Sequence, residues 1–95
     1  MADNTVVAAQ TAADSAFEFR VRQGSCVSVS AYGLGVGEAV DIELKVGESW
    51  VDCYDADGTQ TQITPTRNPV PIDVPGCYRL NKPLTAGAVS LHLDA

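Results

Sequence analysis

The chain has 95 residues, 45% of them hydrophobic and 19% charged, which suits one small globular domain and excludes a disordered chain. Twelve acidic residues against six basic ones give a formal charge of −6. Phosphate backbones and anionic lipids are held by lysine and arginine, so nucleic acid and membrane surfaces are excluded as partners, leaving proteins or neutral glycans.

Residues 1–14 are small and polar around a short apolar run, Val6 to Ala9. They lack the basic and apolar regions of a signal peptide, and no stretch reaches membrane-spanning length, so synthesis in the cytoplasm is expected. No amphipathic period supports a helix. The segment reads as an extended N-terminal arm, with Val6 and Val7 as contact residues, that orders against a neighbour. Residues 15–95 then form the domain.

Phe17, Phe19 and Val21 alternate with Glu18, Arg20 and Arg22, the pattern of a half-buried strand. After a turn at Gln23-Gly24, Val27, Val29 and Ala31 alternate with serines and Tyr32. Gly33, Gly35 and Gly37 mark a loop. Their spacing departs from a dinucleotide fingerprint, and a strand follows where a phosphate site needs a helix N-terminus. Val40, Ile42, Leu44 and Val46 then alternate with Asp41, Glu43 and Lys45, and the charges read as a solvated face like that of Arg20 and Arg22.

Gly47-Glu48 turns the chain into Trp50–Tyr54, and Asp55-Ala56-Asp57-Gly58 is a hairpin signal. Asp52, Asp55 and Asp57 resemble a calcium loop, but Cys53 stands at the first ligand position and Thr64 where a bidentate Glu is required. A short polar strand to Ile63 follows. Pro69 and Pro71 restrict Val70–Val74 to an edge strand. Pro75-Gly76 turns into a strand from Cys77 to Lys82, and Val89, Leu91 and Leu93 alternate with Ser90, His92 and Asp94 in the last one.

The expected architecture is all-β: a compact antiparallel β-sandwich or jelly-roll-like barrel of about eight short strands. Cys26, Cys53 and Cys77 lack the paired spacing of a zinc site and read as reduced, buried small hydrophobes. Ser90, His92 and Asp94 share one strand face, roughly 6.6 Å apart per step, standing parallel where a triad needs convergence. No enzyme activity, cofactor or metal site is expected. Trp50, Asp52 and Tyr54 line one face of their strand if Val51 and Cys53 face the core; in the opposite register Trp50 fills the core. An exposed Trp and Tyr would suit an interface or a sugar-stacking platform.

The strand Ser25–Tyr32, the hairpin Gly47–Gly58, and the closing Pro75–Pro83 and Thr85–Leu91 segments resemble small virion proteins of tailed bacteriophages, in particular the capsid decoration (cement) class. That resemblance implies a β-sandwich or jelly roll on the virion's outer capsid surface. It implies the major capsid protein or another virion protein as partner, a small homo-oligomer, and no catalytic or metal residues. A tail or neck component fits the same resemblance. A carbohydrate-binding or host-recognition module using Trp50 and Tyr54 is the alternative.

Overall fold

Alternation at period two sets the strands, and glycines with left-handed φ turn the chain between several of them. The computed structural model describes residues 4–94 and, among these, forms nine strands. They are β1 (Thr5–Gln10), β2 (Glu18–Val21), β3 (Val27–Tyr32), β4 (Val40–Val46), β5 (Ser49–Asp52), β6 (Gln62–Ile63), β7 (Val70–Ile72), β8 (Gly76–Asn81) and β9 (Val89–Asp94).

Two antiparallel sheets form, one in the order β1-β9-β3-β7 and the other β2-β8-β4-β5, with β6 continuing beside β4. The pairing is nested: β1 with β9, β2 with β8, β3 with β7, and β4 with β5 and β6. The chain is therefore one long hairpin whose tip is the turn at Gly47, where φ is 62°. It is rolled up so that β1 to β4 alternate between sheets and β7 to β9 return alongside them. The β3–β9 and β4–β8 ladders complete the sheets. This nested, sheet-swapping order is the jelly roll, so the expected all-β sandwich stands.

The core lies between the sheets. Val29, Ile42, Ile63, Val70, Leu80 and Leu91 are at most 1% exposed. Burial of this apolar surface is the main favourable term in folding. At the β2 side, Phe17, Phe19 and Tyr78 stack with centroids 5.8 and 5.7 Å apart. On β3, the Asn68 side chain donates to the Ala31 carbonyl at 2.6 Å and accepts its amide at 3.2 Å, replacing a strand partner beyond β7.

The expected arm spans residues 1–14. Residues 1–3 lie outside the described residues, but Thr5–Gln10 is an integral strand on β9. Val7 is 6% exposed and belongs to the core, and Val6 packs against it. The alternation that identifies a half-buried strand is broken here by register shifts on either side of Val7, which explains why periodicity missed it.

The segment between β1 and β2 is fixed to the β8–β9 loop. Asp14 and Lys82 exchange backbone hydrogen bonds at 2.9 and 2.8 Å, and the Thr85 amide donates to the Thr11 carbonyl at 3.0 Å. Lys82 itself is fully buried. Its ammonium donates to the carbonyls of Ala12 and Pro83 and to Thr85 Oγ1, at 2.8, 3.2 and 3.2 Å. Three acceptors match its three protons.

Candidate functional site

The outer face of the β2-β8-β4-β5 sheet settles the register of Trp50. Trp50 pairs with Lys45, and Glu43 with Arg79 and Asp52, so these side chains share the face away from the core. Arg79 lies over the Trp50 ring at 4.7 Å and Lys45 at 6.0 Å. The Arg79 Nε also donates to Glu43. The strand face expected to be solvated is therefore partly closed: Glu43 is buried and forms an ion pair with Arg79.

Tyr54 lies beyond the end of β5 at Asp52 and is exposed. The Cys53 amide donates to the Ile42 carbonyl at 3.2 Å, and Tyr54 is among the residues that line a pocket with Ile42 and Leu44. Of the five expected interface residues, Val6 and Val7 pack in the sandwich, Trp50 and Asp52 stand on the outer sheet face, and Tyr54 lies at the pocket. The structure does not assemble them into one site.

The pocket opens between the sheet edges formed by β7 and β5. It holds about 290 Å³, with Ile42, Leu44, Cys53, Ile72 and Tyr78 at its apolar floor and walls. Tyr54, Val74, Asp55, Arg67 and Asp73 surround its opening. Its origin is a mismatch of strand lengths. β7 has three residues against seven in β4, so the shorter edge leaves part of the β4–β5 hairpin uncovered. Val51 lies opposite Leu44 in the ladder and Val46 is two residues on, which puts all three on the core-side face. Yet Val46 is 54% and Val51 42% exposed.

The polar groups at this opening are largely committed. Asp55 accepts two bonds from the Arg67 guanidinium, at 2.6 and 3.1 Å, and one from Thr61 Oγ1 at 2.8 Å. Arg67 and then Thr61 hold the Asp55 carboxyl below its usual range. Asp57 accepts from the Thr59 amide at 3.0 Å. These carboxylates order the 55–67 segment, as a hairpin turn does, through protein donors. Burial, followed by the charges of Asp52 and Glu43, pushes the Cys53 thiol up. The Tyr78 hydroxyl donates to the Val74 carbonyl at 2.7 Å. The cysteines are free; Cys26 is exposed, and Cys53 and Cys77 are half-buried, where all three were expected inside.

The Ser90 and His92 side chains do meet, contrary to the expected parallel arrangement. Ser90 is buried on the outer face of its sheet, and its Oγ lies 2.9 Å from His92 Nε2. The other ring nitrogen, Nδ1, faces Thr5 Oγ1 at 3.2 Å. A hydroxyl thus stands where a triad has its carboxylate. β9 is paired on both edges, so its amides are committed to ladders and not collected into an oxyanion hole.

No family model matches the chain, and no curated protein or solved structure matches it either.

Proposed function

We propose that this chain is a structural binding module of the capsid decoration class, made in the host cytoplasm and seated on the outer shell of a tailed-phage virion. A jelly roll hosts many activities, so the fold alone does not carry this reading. The observation that carries the binding function is the exposed pair Val46 and Val51, flanking half-buried Leu44 at the pocket. Apolar surface of this kind is stabilised by a partner that covers it.

The virion setting is supported by the sequence resemblance and by charge. An acidic protein is suited to the outside of a shell filled with DNA. A non-catalytic role is supported by the strand-bound Ser90–His92 pair, where among the described residues the Thr5 hydroxyl, not a carboxylate, faces Nδ1. A glycan platform has less support, because Arg79 covers one face of Trp50 and Tyr54 lies at the pocket beyond the end of β5.

The test is co-sedimentation of the purified chain with preformed phage shells, with bovine serum albumin as control. Retention by a shell or another virion protein is expected, and failure to pellet with any of them rejects the reading. Sedimentation equilibrium of the chain alone tests the accompanying expectation of a small homo-oligomer.

A further inference from the structure

We propose that the pocket between β5 and β7 receives one large apolar side chain from an extended protein segment that carries lysine or arginine beside it. The proposal rests on the protein-binding reading above and names the chemistry of the partner at this site.

Size sets the first limit. Pockets for drug-sized ligands run from roughly 300 to 1,000 Å³, so about 290 Å³ suits a single ring or branched side chain. Polarity sets the second. Ile42, Leu44 and Ile72 present only carbon, and the Tyr78 hydroxyl is already bonded to Val74. The interior therefore favours an apolar group.

The surroundings decide what flanks that group. Seven large hydrophobic residues are exposed among the described residues, and four of them are the pair Val46 and Val51 and the pocket residues Tyr54 and Val74. They offer contact to the chain on either side of an inserted side chain. Arg67 is engaged by Asp55 in two hydrogen bonds and so is not free to receive an anion. Asp73 is exposed at the opening and forms no ion pair among the described residues. Two carboxylates, Asp55 and Asp73, against one guanidinium, with Asp57 beyond the rim also acting on Arg67, leave the opening acidic. A second copy joined face to face would bring two such openings together, which like charge disfavours. A basic segment of a different protein is complementary.

The full chain is titrated with three capped tripeptides, Lys-Phe-Lys, Glu-Phe-Glu and Lys-Ala-Lys, and followed by amide NMR. Lys-Phe-Lys is expected to give saturable shifts at Cys53, Ile72 and Val74 and to slow alkylation of Cys53 but not of Cys26. The other two peptides should bind about tenfold more weakly or less, and Asp73→Asn should weaken Lys-Phe-Lys by about threefold. Val74→Glu, at an exposed position, should block the peptide while the spectrum stays dispersed; Tyr54→Ala serves as a second variant if it does not. Absence of saturable shifts at about 10 mM peptide, or equal binding of either control peptide, overturns the proposal. Self-association abolished by Val74→Glu also overturns it, since the occupant is then a second copy. Shell binding that persists in Val74→Glu overturns the pocket but leaves the virion reading standing. Peptide binding by a protein that pellets with no shell does the reverse.

Discussion

The Lys82 ammonium donates to the Ala12 carbonyl at 2.8 Å across 70 residues of sequence. This contact joins the crossing from β1 to β2 with the loop from β8 to β9, the two ends of the rolled hairpin. The ammonium is surrounded by carbonyl and hydroxyl oxygens of Ala12, Pro83 and Thr85, an arrangement that satisfies its protons without a bonded carboxylate.

Lys82→Met tests that clamp. The methionine fills much of the same space but leaves the Ala12 and Pro83 carbonyls without this donor. Loss of the buried hydrogen bonds is expected to destabilise the chain by about 1–3 kcal/mol, read from the midpoint of urea unfolding. An unchanged midpoint would show that solvent or a shifted backbone satisfies both carbonyls at no cost.

β1 offers a second test, because an arm and a core strand respond differently to truncation. Removal of residues 1–10 strips one neighbour from β9 and opens the core at Val7. The truncated chain is expected to lose cooperative unfolding in circular dichroism. The milder Val7→Ala, which removes two buried carbons, should cost about 1–3 kcal/mol. A truncated chain with an unchanged melting temperature would return this segment to the role of an arm that orders against a neighbour.

Acid stability follows from two carboxylates. Backbone amide bonds from Ala86 and then Gly35 hold Glu38 low, as Arg67 holds Asp55. With native values depressed, the unfolded chain binds protons that the native chain refuses. Their contribution is present above the ordinary carboxylate range of about 4 and lost as pH falls through the lowered native values. The melting temperature should therefore drop on acidification, and Glu38→Gln and Asp55→Asn should each shallow that drop. Identical acid limbs in wild type and both variants would contradict the assignment.

Cys53 and Tyr78 supply the opposite sign. Burial chiefly raises both Cys53 and Tyr78. Their contribution is fully present below the unfolded values, about 8.5 for a thiol and 10 for a phenol, and is lost as pH rises through the native ones. At neutral pH Cys26, which is exposed, should react with a thiol reagent before Cys53. Mass spectrometry of partly labelled protein reads the order. Faster labelling at Cys53 would mean that the pocket opens more than its packing implies.

Much of the sandwich was legible in the chain. Alternation placed Val27 to Tyr32, Val40 to Val46 and Val89 to Asp94 in strands, because a side-chain period of two is a local property of extended backbone. Turn chemistry at Gly24, Gly47 and Gly58 was legible for the same reason, and all three adopt positive φ. The lack of zinc-type cysteine spacing and the acidic balance are likewise properties of the sequence.

Other features depended on residues far apart in the chain. Nothing local to Lys82 signals burial; its acceptors include Ala12, brought there by the roll. Ser90 and His92 were legible as neighbours on one face, but the Thr5 hydroxyl at the other ring nitrogen required β1 to dock on β9. The register of Trp50 was open until the β4–β5 ladder placed it beside Lys45 and under Arg79. The pocket is the clearest case. Leu44 and Val46 carry the pattern of core residues, and the sequence by itself determined that these two share a face; the β4–β5 ladder added Val51 to it. Only the tertiary structure decided that β7 is too short to cover them all, because coverage depends on the length and placement of the opposite sheet.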